Sequence, residues 1–305
     1  MNTTLSVYFG SERTYAALLS QAKQGKEVLH VGVYPIVLKD ETDIPLLAEE
    51  IKKDFASFHG MVHAINYSIP IEKVFIYQLP AVDPSQKDAI RAMLDDEIQK
   101  VEPEKKQNDY AIMVLPGNSS QEDEQHMLAV LTDKSYLSMC EKALSGFKAP
   151  IKFTQNSQFA AHSAFIHNYP EYVGKTVAIL GVQERFIDVS VINEGNLAFY
   201  SLYGIADDED FGSVCAKIFT SILPQYLPKP DLALFFGEGL SKDLLDPLAI
   251  SLTVPVMRLN AFRMLLSGET LSVGELQLCS KAAHLFPPVI GASLPALQAK
   301  EIMNL

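Results

Sequence analysis

Several groups of side chains in this 305-residue chain could do chemistry, and each has a plainer role to be weighed against it. Asp207, Asp208, Glu209 and Asp210 bring four carboxylates together, the donor type that hard cations prefer. Consecutive residues point in different directions, however, and acids at a helix start are favoured by the helix dipole, so capping is the expected role. His59 and His63 are four apart, but Gly60 interrupts any helix between them and no carboxylate is spaced to complete a zinc site. His162 and His167 are five apart and do not share a helix face. Cys140, Cys215 and Cys279 are widely separated and match no metal or redox spacing, so buried free thiols in a reducing cytoplasm are expected. Gly237-Glu238-Gly239 lies between an apolar run and a helical pattern, which by itself describes a tight connection. There is no GxSxG elbow, no Walker loop and no Cys–His pair near a motif. The expectation is therefore no catalytic residue and no metal site.

The elements that must position these residues follow a repeated plan. Val177 to Leu180 is an apolar run, GVQER a polar turn, and Ile187, Val189 and Val191 alternate with Asp188 and Ser190, the period of a half-buried strand. The turn NEGN and a third strand to Tyr203 follow. The chain opens in the same way, with Leu5–Phe9, the turn GSER, Tyr15–Leu19, the turn QAKQGK and the alternation of Leu29, Val31 and Val33. Two copies of a three-strand module predict a duplicated, two-lobed α/β fold. A helix is expected over 44–58, strands over 62–68 and 74–79, and an alanine-rich helix over 156–168. Between Pro80 and Pro150 the pattern reads helix, strand, strand, helix, with Asp83 as N-cap, Pro84 at the first helical position and an acidic loop, PGNSSQEDEQ. A helix from the acids at 207–210 to Ile222, a strand over 232–236, a helix over 242–251, a strand over 254–259, a helix over 275–285 and a break at Pro287-Pro288 complete the reading. The formal charge of −12 opposes binding to nucleic acid or an anionic lipid surface. No apolar run is long enough to span a membrane and no signal peptide is recognised, so the expectation is a soluble cytoplasmic protein.

The order of these elements resembles the actin-like (ribonuclease H-like) superfamily, and within it the type IV pilus assembly PilM family, over nearly the whole chain. VYFGSERTY from Val7 to Tyr15 is similar to that family's opening strand and glycine turn. FIYQLPAVDPSQKDAIRAMLDDEIQKVEP is similar to the start of its inserted subdomain, of the type shared with the cell-division protein FtsA and the secretion protein GspL. GVQERFIDVSVINEG from Gly181 to Gly195 matches the second-lobe hairpin, and FFGEGLSKDLL with VPVMRLNAF the later glycine turn and strand. The implied division is a first lobe of 1–79 and 150–172, an inserted α/β subdomain of 80–149, and a second lobe of 173–305.

The resemblance implies a nucleotide cleft at which Gly10, Ser11, Gly237 and Gly239 are the retained positions. Active members use an acidic residue at each of the two hairpin turns to hold Mg²⁺ through water, and open glycine turns to approach phosphate. Here those acidic positions are Tyr8 and Gly181, Glu12 would repel phosphate, and Gln183 and Glu184 crowd the second turn. The expectation is a cleft plugged by Tyr8, Gln183 and Glu184 that keeps the fold without ATP hydrolysis and with at most weak ATP/Mg²⁺ binding. The implied partner is a single-span inner-membrane protein resembling PilN, whose cytoplasmic tail lies in a groove between first lobe and insert, with self-association also open. Two alternatives stand beside this reading: a nucleotide-binding actin-like switch, and the cytoplasmic domain of a GspL-like type II secretion protein.

Overall fold

The computed structural model describes residues 3–83, 86–116, 126–206, 209–225, 227, 229–294 and 303–304. The first three strands, β1 (Thr3–Phe9), β2 (Thr14–Ala22) and β3 (Gly25–Tyr34), form an antiparallel meander. Helix α1 (Asp43–Asp54) buries Leu47 and Ile51 and stops at Phe55, whose backbone leaves the helical region; residues 56–61 continue as 3₁₀ turns, so the helix expected to Phe58 is shorter. Next come β4 (Val62–Ile69) and β5 (Val74–Pro80), then α2 (Lys87–Val101). Helix α2 starts at Lys87 with Gln86 as its cap and no side-chain cap bond, so Asp83 lies ahead of the helix, in a turn where its carbonyl accepts from the Gln86 amide. Pro84, Ser85 and the acidic loop at 117–125 lie outside the described residues.

Strands β6 (Tyr110–Pro116) and β7 (His126–Asp133) lead to α3 (Lys134–Leu144), β8 (Ile151–Asn156) and α4 (Ser157–Asn168). A second meander then appears: β9 (Thr176–Val182), β10 (Phe186–Asn193) and β11 (Asn196–Gly204). Helix α5 (Phe211–Lys217), capped by Asp210 through the Ser213 amide at 2.9 Å, passes into a π-helical turn at 218–222. Of the four acids expected to cap this helix, Asp210 is the cap; Asp207 and Asp208 lie outside the described residues. Strand β12 (Leu232–Phe236), helix α6 (Lys242–Ser251), the short strands β13 (Val256–Arg258) and β14 (Leu266–Ser267), and helix α7 (Val273–Lys281) follow. Pro287 and Pro288 do not break structure. They start helix α8 (Pro287–Ala292), where a missing N–H costs nothing. The last element is β15 (Met303–Asn304).

The sheet orders express the duplication. The first sheet runs β14-β3-β2-β1-β4-β8 and the second β11-β10-β9-β12-β13. In each, an antiparallel meander is extended on the side of its first strand by parallel strands, β4 and β8 in one case and β12 and β13 in the other. The third sheet, β15-β6-β7-β5, carries α2 on one face through Ile90, Leu94 and Ile98. Helices α4 and α8 pack tightly together and against strands of the main sheets. Ala160, Ala161 and Ala164 are fully buried, and a Cβ added to Gly291 would lie 1.7 Å from the Ala160 carbonyl oxygen, so backbones meet where other helices place side chains. Although late in the chain, β14 and α8 pack onto the first sheet.

Candidate functional site

Three turns meet between the two sheets: Gly10–Arg13 after β1, Gln183–Arg185 after β9, and Gly237–Gly239 after β12. The third rests on the second. The Gly239 amide donates to the Val182 carbonyl at 3.0 Å, and a Cβ at Gly237 would lie 2.3 Å from that same oxygen. Gly237 has φ of +112°, a conformation that favours glycine, and donates its amide to the His284 carbonyl at 3.0 Å. A Cβ at Gly239 would lie 2.9 Å from the Gln183 carbonyl oxygen. The two glycines therefore serve a close backbone approach within the protein.

Glu238, between them, carries its side chain across to the first turn. Its Oε1 accepts from the Tyr15 hydroxyl at 2.8 Å and its Oε2 from the Glu12 amide at 3.0 Å. Gly10 lies directly beneath, its Cβ position 3.5 Å from Oε2 and 2.5 Å from the Arg13 carbonyl oxygen. Burial raises the Glu238 pKa, with the bonds from Tyr15 and Glu12 acting against it. The Ser11 hydroxyl is turned aside and donates to Glu72 Oε1 at 2.8 Å. The backbone N–H that a phosphate would seek at the first turn is occupied by a carboxylate of the protein's own.

Below the turns the site is closed and polar. Tyr8 is buried and stacked on Tyr15 at 6.0 Å, with its pKa raised well above the ordinary value by burial and by Glu72 and Glu238. Gln183 is buried with its amide oxygen unpartnered, whereas Glu184 is exposed. Tyr8 and Gln183 thus fill space as the sequence suggests, but Glu184 does not. Glu238 supplies the third obstruction, and its position between two glycines was the signal available for it. Asp188, on β10 opposite Gly181, is buried, and burial pushes its carboxyl up to about 8, aided by Glu72 and opposed by the neighbouring Tyr200 hydroxyl. Alongside, Gln158 Nε2 donates to the Ile179 carbonyl at 2.8 Å and to Ser190 Oγ at 2.7 Å, while Ser190 shares a hydrogen bond with His162 Nε2. Burial lowers His162 to about 3, so the ring is neutral and able to accept.

The four predicted positions Gly10, Ser11, Gly237 and Gly239 are therefore brought to one place, but facing Glu12, Glu72, Glu238 and Asp188, with Arg13 as the cation beside Glu238. At the first turn the Glu12 amide is taken by Glu238, and the acids Glu12 and Glu72 beside that turn would oppose a polyphosphate. Among the described residues no group of three or more His, Cys, Asp or Glu is placed to hold a metal. The cysteines are free, Cys140 and Cys215 buried and Cys279 partly so. No described helix is long and apolar enough to cross a membrane.

No protein-family model matches the chain, and no curated protein matches it. Solved structures do. The chain is similar to a structure of a PilM–PilN type IV pilus biogenesis complex, with a TM-score of 0.68 at 12% identity over 98% of both chains. It is similar to a Bacteroides thetaiotaomicron protein of unknown function with an actin-like ATPase fold, at a TM-score of 0.52 and 12% identity, covering 92% of this chain and 96% of that one. It is also similar to the cytoplasmic domain of EpsL, an inner-membrane component of the Vibrio cholerae type II secretion system, at 0.50 and 13% identity over 92% and 94%. The duplicated meanders, the close helix pair between the main sheets and these neighbours together give the architecture: this chain has the actin-like fold.

Proposed function

We propose that this chain is an actin-fold adaptor of a pilus-assembly or secretion machine that binds the cytoplasmic tail of a single-span inner-membrane protein resembling PilN and does not hydrolyse ATP. The observation that carries the second half is Glu238, whose carboxylate is bonded to the Glu12 amide and the Tyr15 hydroxyl at the mouth of the cleft. In this reading Gly10, Ser11, Gly237 and Gly239 are remnants of a nucleotide site, now used for internal packing. On the same reading the lobes are 1–79 with 150–172 and 173–305 and the insert is 80–149, except that β5 and β15 pair in the insert's sheet and α8 and β14 cross back onto the first sheet. The first half is supported by the likeness in fold to the PilM–PilN complex over almost the entire chain. A chain with a formal charge of −12 has little attraction to an anionic bilayer, so recruitment from the cytoplasm to the inner membrane would come through the partner.

Two measurements test the two halves separately. Melting the wild-type chain with and without ATP and Mg²⁺ should show no rise in midpoint; a clear rise that Gly237→Trp abolishes overturns the inactive reading. Affinity capture from detergent-solubilised membranes of the source organism should recover a bitopic protein through its cytoplasmic tail; recovery of no single-span protein overturns the adaptor reading.

A further inference from the structure

The two main sheets are joined in two ways that differ in kind. Helix α4 touches both of them. Its Gln158 donates to the Ile179 carbonyl of the second sheet at 2.8 Å, and its Ala160 carbonyl meets the backbone of α8, which packs on the first sheet, at Gly291. That join is backbone against backbone and changes only if the helices part. At the mouth of the cleft a side chain makes the join. Glu238, on the turn after β12, reaches the first meander, where its two oxygens accept from the Tyr15 hydroxyl at 2.8 Å and the Glu12 amide at 3.0 Å.

Both ends of this contact are held in place before it forms. On the giving side the turn is pinned at each neighbour of Glu238, by the Gly237 amide on the His284 carbonyl and the Gly239 amide on the Val182 carbonyl, at 3.0 Å each. On the receiving side the Tyr15 ring is stacked on Tyr8 at 6.0 Å and meets the edge of Phe286 at 5.5 Å, which aims its hydroxyl. Gly10 is thin enough to admit the carboxylate, whose Oε2 stands 3.5 Å from the Cβ position of that glycine. A half-buried carboxylate loses solvation unless its oxygens find donors, and here each has one. Arg13 favours the ionised form and Glu12 opposes it. Bonds to an ionised acceptor are the strong kind, and a turn fixed beforehand loses little freedom in making them.

We propose that Glu238 is a latch that fixes the angle between the two main sheets, by setting the protein's own carboxylate on the amide and hydroxyl of the first turn. The angle is then defined with no ligand bound, and the place the side chain fills is a site for one small carboxylate. This inference rests on the reading that the cleft holds no nucleotide, and adds how the cleft is kept in one shape.

The test uses the full chain in a Cys279→Ser background, with spin labels at Lys39→Cys, between β3 and α1, and Lys242→Cys, at the start of α6, both exposed. With Glu238 intact the label-to-label distances should form one narrow distribution. Glu238→Ala should shift or broaden it, and acetate in excess should restore it, whereas chloride at equal ionic strength should not. Hydrogen exchange at the Glu12 amide should quicken on the order of tenfold in Glu238→Ala and slow again with acetate. Glu238→Gln keeps the length of the side chain but offers one acceptor oxygen in place of two, so it should fall between, and it decides the matter if the alanine variant does not fold. Unchanged distances and unchanged Glu12 exchange in the folded variants overturn the proposal, as does restoration by chloride or none by acetate. These readouts are taken without nucleotide, so their failure is distinct from that of the inactive reading, which shows as a rise in the wild-type melting midpoint with ATP and Mg²⁺.

Discussion

Replacing Asp188 with asparagine removes a titrating carboxyl from a fully buried position on β10 while keeping its shape. Its ordinary pKa is 3.8 and in the folded chain it stands at about 8, chiefly through burial. The folded state therefore holds a proton that the unfolded chain has lost over the interval between those values. Stability falls with rising pH wherever the native state binds more protons, so the wild-type protein is progressively destabilised from about pH 4 to about pH 8 by this group. At about 1.4 kcal/mol for each pH unit, the interval corresponds to at most about 6 kcal/mol at alkaline pH. The introduced side-chain amide would bring N–H donors that need acceptors in a closed site, which offsets part of the gain, so about 2–4 kcal/mol is expected to remain. Urea denaturation of wild type and Asp188→Asn at matched pH values between 5 and 9 isolates the effect, since all other titrations cancel in the difference. Asp188→Asn should gain on the wild type steadily as pH rises. A difference that does not change with pH refutes the assignment of a neutral Asp188.

Further expectations rest on single contacts. Gly291→Ala should destabilise by about 3 kcal/mol or more, read as a lost or lowered melting transition, because its Cβ falls 1.7 Å from the Ala160 carbonyl oxygen. The same change at Gly274, in the first turn of α7 with only the Ser272 hydroxyl 3.9 Å away, should raise stability by about 0.5 kcal/mol. His30 sits between Asp54 at 3.2 Å and Glu275 at 2.6 Å; burial lowers its pKa, but the two carboxylates outweigh this and raise it. A raised histidine contributes below its ordinary pKa of 6.5 and loses the contribution as pH rises through the folded value, so His30→Gln should cost more at pH 6 than at pH 9 in thermal melts. Asp54 and Glu275 are held below their ordinary values, so that cost should shrink again only in more strongly acidic solution.

Local sequence reached far into this fold. Alternation of apolar and polar residues located both meanders, since a strand with one face on a core must repeat every second residue. The alanines of α4 announced a close helix contact, and of the four acids expected to cap a helix, Asp210 is the one that does so through the Ser213 amide. What local pattern misplaced were ends and breaks. Phe55 and Gln86 end or start helices through backbone turns that have no side-chain signature, and Pro287-Pro288 read as a stop because proline terminates and initiates helices equally well.

The candidate site divides along the same line. From the residue types alone, Tyr8 and Gly181 bring no carboxylate to the two hairpin positions. That Glu238 reaches the Glu12 amide, 226 positions away, depends on two sheets meeting and on glycines thin enough to let one turn lie on another. The raised pKa of Asp188 likewise arises from what surrounds it and not from its neighbours in sequence. Sequence by itself determined the duplicated pattern, because it is a property of single strands and turns. Only the tertiary structure decided what fills the cleft and which edge of the third sheet is covered, because hydrogen bonds and burial are made between segments that the chain order keeps apart.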